Sequence, residues 1–169
     1  MLQKDLILRP DLDLDGSRVR RTAVRAVIEI ADRLLMVFSA VNGDYKFPGG
    51  GIETDESHAD ALRREVLEEC GRRLQNVGPQ IALLSEYDAA AEADMAYFRM
   101  DSHYYRCGLV PGEEQDLDLD TYEADLGFAP RWTTLEIALK ANRAVLQRNA
   151  APPRWTARET YFLEYLAGS

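Results

Sequence analysis

Sulfur and imidazole are scarce in this chain. Among its 169 residues there are two cysteines, Cys70 and Cys107, and two histidines, His58 and His103. Two scattered thiols cannot form a disulfide framework or a zinc cluster, so a packed core must supply the stability. Long apolar runs are missing as well, and none approaches the roughly 18 residues needed to cross a bilayer. The opening MLQKDLILRP offers only Leu6 to Leu8 as an apolar stretch, too short for a signal-peptide core, so the cytoplasm is the expected compartment. Positive charge is in deficit too: 20 Lys and Arg face 29 Asp and Glu, a net charge of −9. A nucleic-acid scaffold needs a basic face, and that class is excluded.

What is present fits one globular domain. The chain is 46% hydrophobic and 29% charged, without internal repeats or low-complexity linkers, and long enough to bury a core. Its acidity is local. Residues 53–69 and 113–125 together hold fourteen acids against two arginines, a net −12, while the other 139 residues carry 15 acids and 18 bases, a net +3. The basic remainder, including Arg131, Lys140, Arg143, Arg148, Arg154 and Arg158, reads as diffuse.

Residues 1–17 are expected to form an N-terminal extension or an edge strand, ahead of a domain over 18–169. Alternation from Arg18 to Ile30 and the apolar run Leu34 to Val41 predict two strands. Asn42-Gly43-Asp44 predicts a tight turn, because Asn-Gly tolerates positive φ. Pro48-Gly49-Gly50-Gly51 breaks regular structure. A helix is predicted from about Ser57 to Cys70 on Ala61, Leu62, Val66 and Leu67, stopped by Gly71. Strands follow at Ile81 to Leu84, Tyr97 to Val110 and Arg131 to Thr133, with an acidic loop over 111–125. Two helices then open with capping-box patterns, Thr133-x-x-Glu136 and Thr156-x-x-Glu159. Strands, one internal helix and terminal helices indicate an α+β or layered α/β/α domain.

The chemistry concentrates in GGIETDESHADALRREVLEECGR, from Gly50 to Arg72. On a helix, Glu65, Glu68 and Glu69 stand at i, i+3 and i+4 and share one face. Three mutually repelling carboxylates beside one arginine, Arg64, ask for a multivalent cation. Hard oxygen ligands without His or Cys favour Mg²⁺ or Mn²⁺. Such ions bind phosphate oxygens and activate water, so phosphoanhydride cleavage is the expected reaction class. A solvated acidic helix face is the competing interpretation.

The spacing decides between them, because it resembles the Nudix box. Gly50, five residues, Glu56, seven residues, then Arg64-Glu65-Val66-x-Glu68-Glu69-x-Gly71 matches eight of its nine constrained positions. Arg72 departs, standing where the family prefers a bulky apolar residue. The resemblance implies a Nudix-type α/β/α sandwich with a mixed β-sheet and a loop–helix–loop motif. It further implies a metal-dependent pyrophosphohydrolase using Mg²⁺ or Mn²⁺ on a nucleoside diphosphate linked to another moiety. A nucleotide sugar such as ADP-ribose and a nucleoside triphosphate both fit that description.

Residue by residue, the resemblance makes Glu68 and Glu69 principal metal ligands, with Glu65 completing the cluster or acting as general base. Arg64 would orient a carboxylate, Glu56 would pair with Arg64, and Gly50 and Gly71 would shape the turns. A further carboxylate is expected from the late acidic loop, with Glu123 chosen ahead of Glu114. Lys46 and Arg25 are candidate contacts to substrate phosphates, against a reading as surface cations. Tyr97, Tyr104 and Tyr105 could stack on a base or simply fill the strand interior. His58 and His103 read as isolated. Asp11-x-Asp13-x-Asp15-Gly16 resembles half a calcium loop, but Thr22 stands where a bidentate Glu is required. The N-terminal segment could support a homodimer by burying Leu6 to Leu8 in a partner. The rival function is a catalytically idle Nudix-fold sensor that binds a nucleotide, against which three intact glutamates argue.

Overall fold

The computed structural model describes residues 1–112 and 114–168. Eight strands, β1 Leu2–Ile7, β2 Arg18–Val27, β3 Glu29–Ile30, β4 Arg33–Ser39, β5 Tyr45–Lys46, β6 Leu74–Asp88, β7 Tyr97–Leu109 and β8 Phe128–Thr133, build two sheets. The helices are α1 His58–Cys70, α2 Thr121–Asp125, α3 Leu135–Arg148 and α4 Arg154–Ala167. One sheet is mixed, in the order β1-β6-β7-β2: β1 runs parallel to β6, β6 antiparallel to β7, and β7 parallel to β2. In the second sheet β4 pairs antiparallel with β8 along residues 34–39 and with β3 and β5 in succession. The α+β class and mixed sheet expected from sequence are both present.

Period-2 alternation in β2 and β4 splits the core into two layers. Val24, Ala26, Ile28, Leu35 and Val37 face one way and pack on Ala61, Leu62 and Val66 of α1. Val27, Leu34 and Met36 face the other and pack with Ala138, Leu139, Phe162 and Leu163 of α3 and α4. In that second layer Phe47 meets Phe162 at 5.3 Å and Tyr104 at 5.8 Å between ring centroids. Buried rings therefore anchor the segment that enters the glycine turn. Tyr104 is fully buried, so it fills the interior rather than offering a stacking face.

Several boundaries differ from expectation. β6 extends from Leu74 to Asp88, far beyond Ile81 to Leu84, and it tolerates Gly78-Pro79 through register shifts between Val77 and Ala82. The acidic loop contains a helical turn, α2, where the Asp120 side chain accepts from Glu123 N and the Glu123 side chain accepts from Asp120 N. Thr134 rather than Thr133 caps α3, through Ile137 N. Thr156 lies inside α4, which starts after Pro153, and its hydroxyl donates to Asp44 at 2.7 Å instead of capping. Trp155 Nε1 donates to the same Asp44 carboxylate at 2.8 Å, tying α4 to the tight turn. The first strand pairs with its own chain's β6, where Leu2 packs on the core and Ile7 stays exposed. No helix of the described residues is long and apolar enough to cross a membrane.

Candidate active site

The glycine turn is held as an extra strand edge on β2. Ala26 N donates to Pro48 O at 2.8 Å, Val24 N to Gly50 O at 3.0 Å and Ile52 N to Thr22 O at 3.2 Å. Gly49 takes φ +139°, and a Cβ there would sit 2.0 Å from Val24 O, so only glycine lets the two backbones meet. A Cβ at Gly50 would lie 2.4 Å from Glu65 Oε1. The turn is thus pressed between β2 and the α1 carboxylates.

Helix α1 begins cleanly. Ser57 accepts from Asp60 N, and Gly71 closes the helix in the left-handed region with φ 62°. On its inward face Arg64 joins helix to turn. Nε and Nη2 each reach a Glu56 oxygen at 2.8 Å, Nη2 also reaches Gly51 O at 3.0 Å, and Nη1 reaches Glu65 Oε1 at 2.8 Å. This planar fork, together with a backbone hydrogen bond from Glu53, holds the Glu56 carboxyl down at about 2. Gly71 and the following Arg72 end the box. Arg72 turns to Glu114 at 3.3 Å, which accounts for a cation where an apolar residue was expected.

Glu69 is almost fully buried and accepts from Gly49 N at 2.8 Å and from Lys46 Nζ. Lys46 lies over the Phe128 ring at 4.6 Å, and Arg25 donates to Gly49 O; both are buried. Neither is the surface cation that stood as the alternative. Glu65, Glu69 and Glu123 each bring a carboxylate oxygen within 4.8 Å of one another. Burial and the Glu69 charge push the Glu65 carboxyl up, and the same two causes push Glu123 up to about 7. Glu68 is not in this group. It is more exposed and approaches Arg64 Nη1 at 3.5 Å. Glu114 is exposed and pairs with Arg72 instead. Glu113, part of the same acidic run, lies outside the described residues.

Glu65 and Glu123 line a cleft of about 830 Å³, together with Arg25, Lys46, Glu86, Arg158 and Phe98, and Glu69 is buried behind them. Sequence reasoning missed Glu86 and counted Arg158 among the diffuse bases. Arg158 is instead buried, bonding Glu86 Oε2 at 2.5 Å, Glu159 Oε1 at 2.6 Å and the Tyr104 hydroxyl at 3.0 Å. The adjacent Arg158 and Glu159 were visible, but no local pattern joins them to Glu86 on another element. The two histidines, expected to be isolated, meet edge to face at 4.7 Å, and His58 Nδ1 lies 2.8 Å from the Tyr105 hydroxyl.

With this geometry in place, the comparisons are specific about family. A family model for the NUDIX domain matches residues 19–154, and the chain belongs to that family. Among solved structures, a UDP-X diphosphatase aligns at TM-score 0.56 and 16% identity, over 89% of this chain and 65% of that one. This chain therefore spans just under two thirds of that protein. A NUDIX hydrolase from Nitrosomonas europaea aligns at TM-score 0.53 and 23% identity, over 86% and 90% of the two chains. A MutT NUDIX hydrolase from Burkholderia pseudomallei aligns at TM-score 0.54 and 21% identity, over 78% and 99%. These likenesses show the fold. No curated protein matches the chain.

Proposed function

We propose that this chain hydrolyses the diphosphate linkage of a nucleoside diphosphate joined to another moiety, using Mg²⁺ or Mn²⁺. A nucleotide sugar such as ADP-ribose and a nucleoside triphosphate are the two substrate types. The observation that carries the reading is the convergence of Glu65, Glu69 and Glu123 at the edge of a cleft that Glu65, Glu123 and two buried cations line. Three carboxylates offer only hard oxygens, the donor set that fits Mg²⁺ or Mn²⁺. Glu69, Glu65 and Glu123 would hold the ion, with Glu68 at the exposed rim as a further ligand. Bound there, the ion supplies charge neutralisation for the diphosphate and acidifies water.

The rest is the work of the chain itself. Arg64 pins Glu56 and Glu65, so the helix face and the glycine turn keep one geometry. Arg25 and Lys46 offer positive charge to the phosphates from a low-dielectric wall, where it acts more strongly than in water. The attacking water gives its proton to a carboxylate of the same helix face, Glu65 or Glu68. Two free thiols, one buried and one half-buried, suit the cytoplasm as the compartment. The test is phosphate release from a nucleotide-derivative panel with Mg²⁺ and Mn²⁺, run beside Glu69→Gln. Turnover lost in the variant supports the enzyme. Equal rates in both proteins sink the site, and metal-dependent nucleotide binding without turnover points to the idle sensor.

A further inference from the structure

Glu86 is 3% exposed and lines the cleft, yet one of its oxygens, Oε1, has no hydrogen-bond partner among the described residues. The other, Oε2, is held by Arg158 at 2.5 Å. A buried acceptor left without a donor destabilises the free protein. It becomes useful if a ligand brings a donor. Arg25 shows the converse: it lines the same cleft, and its Nε is a buried donor without a partner.

Strand register orders these groups along one wall. Arg25 of β2 and Ala82 of β6 both pair with Tyr104 of β7, which fixes the rung next to the glycine turn. Glu86 pairs with Met100, two rungs beyond Ser102, and Asp88 pairs with Phe98 two rungs further along. Directly paired residues share a sheet face, and two residues advance a strand by about 7 Å. Leading away from the carboxylate cluster, the wall therefore presents a cation, then the open acceptor, then the apolar Phe98 and Leu8. Phosphate, hydroxylated ring and flat apolar base follow one another in the same order along a nucleotide.

We propose that Glu86, oriented by Arg158, accepts a hydrogen bond from a ribose hydroxyl and makes the site selective for ribonucleotides over deoxyribonucleotides. This rests on the hydrolase reading above and sharpens its substrate class. Glu86 is a specificity-determining group remote from the reacting phosphorus, so its removal raises KM more than it lowers kcat.

The experiment compares kcat/KM for a ribonucleotide with its 2′-deoxy and 3′-deoxy forms, in the unaltered protein and in Glu86→Met and Glu86→Gln. The unaltered protein is expected to disfavour one deoxy form by about tenfold or more, the scale of one hydrogen bond to a charged group. Glu86→Met brings that ratio to within about twofold of unity. Glu86→Gln gives an intermediate ratio, because its amide oxygen faces Arg158 and its NH₂ can donate to a hydroxyl. Should Glu86→Met fail to fold, the ligand comparison in the unaltered protein and Glu86→Gln still decide. Hydrolysis without ribose discrimination, or discrimination that survives in Glu86→Met, overturns this proposal alone. No hydrolysis of any nucleotide overturns it together with the hydrolase reading.

Discussion

Two buried charge clusters stand on opposite sides of the glycine turn, and they are built on opposite principles. On the α1 side, Glu65, Glu69 and Glu123 crowd together, with Arg64 on Glu65 and Lys46 on Glu69, and the mutual repulsion of three carboxylates raises the energy of the free protein. On the α4 side, Arg158 forks between Glu86 and Glu159 and donates to Tyr104, so one cation bonds both carboxylates directly. Glu159 also accepts from Phe47 N at 3.4 Å, which ties this second cluster to the start of the turn. The first resembles a site waiting for a cation, and the second a fixed strut. Substitutions should separate the two: carboxylate loss near α1 should damage chemistry, and cation loss near α4 should damage the fold.

The largest effect expected is on stability. Arg158→Leu leaves two carboxylates buried without their cation, and breaking a buried pair in this way costs about 3–5 kcal/mol. For a chain of this size that lowers Tm by about 10 °C. Thermal melting checks it, and a Tm within 2 °C of the unaltered protein (roughly 1 kcal/mol or less) would show that the pairs contribute nothing net. The counterpart on the α1 side is Glu69→Gln. Even outer partners of a bound metal cost 10–100-fold when removed, so loss of a buried ligand should reduce kcat/KM by about 100-fold or more. Its fold should survive, as read by circular dichroism.

The difference in construction also explains what could be read beforehand. Glu65, Glu68 and Glu69 sit within one helical turn, and Gly50, Glu56, Arg64 and Gly71 surround them at fixed spacing, so sequence separation is nearly spatial separation. Glu123 could be reached only through the family resemblance, and its delivery depends on a helical turn hidden inside an acidic run. The α4 cluster joins β6 to the last helix across 72 residues, and nothing local marks Arg158 as different from Arg154. Lys46 and Arg25 likewise looked like surface cations, because burial by a returning glycine turn is a tertiary event. Glu68 illustrates the reverse: helical spacing puts it beside Glu65 and Glu69, but Arg64 draws it toward the rim.

A smaller effect separates the clusters by pH. Burial and Glu69 raise the Glu123 carboxyl from its ordinary value to about 7. An acid whose folded pKa exceeds its unfolded value near 4.5 stabilises the fold when protonated, so its contribution falls as pH rises from about 4.5 to 7. Glu65, shifted the same way, adds to the trend. Glu56, held at about 2 by Arg64, acts oppositely but only below about 4.5. His103, whose pKa burial and His58 lower, opposes the trend by losing stability as pH falls below its ordinary value. The difference between Glu123→Gln and the unaltered protein removes that background. In chelator, the variant should gain Tm relative to the unaltered protein from pH 5 to pH 8, and added Mg²⁺ should erase the gain. A pH-independent difference would place Glu123 away from the carboxylate cluster.

The smallest effect tests how Glu123 is delivered. Asp120 accepts from Glu123 N at 2.8 Å, and Glu123 Oε2 accepts from Asp120 N at 3.1 Å, so the capping box occupies one oxygen of the carboxylate that meets Glu65 and Glu69. Loss of such a cap costs about 1 kcal/mol. Because α2 buries none of its residues, that cost should stay local and leave Tm within about 2 °C. A local cost of about 1 kcal/mol on the ligand-bearing turn weakens metal affinity about fivefold. Asp120→Ala should therefore raise the Mg²⁺ concentration at half-maximal activity several-fold without moving the melt. Combined with Glu123→Gln, it should add almost nothing, since the turn would then have no ligand to position. Full additivity of the two changes would mean that the cap acts on something other than Glu123.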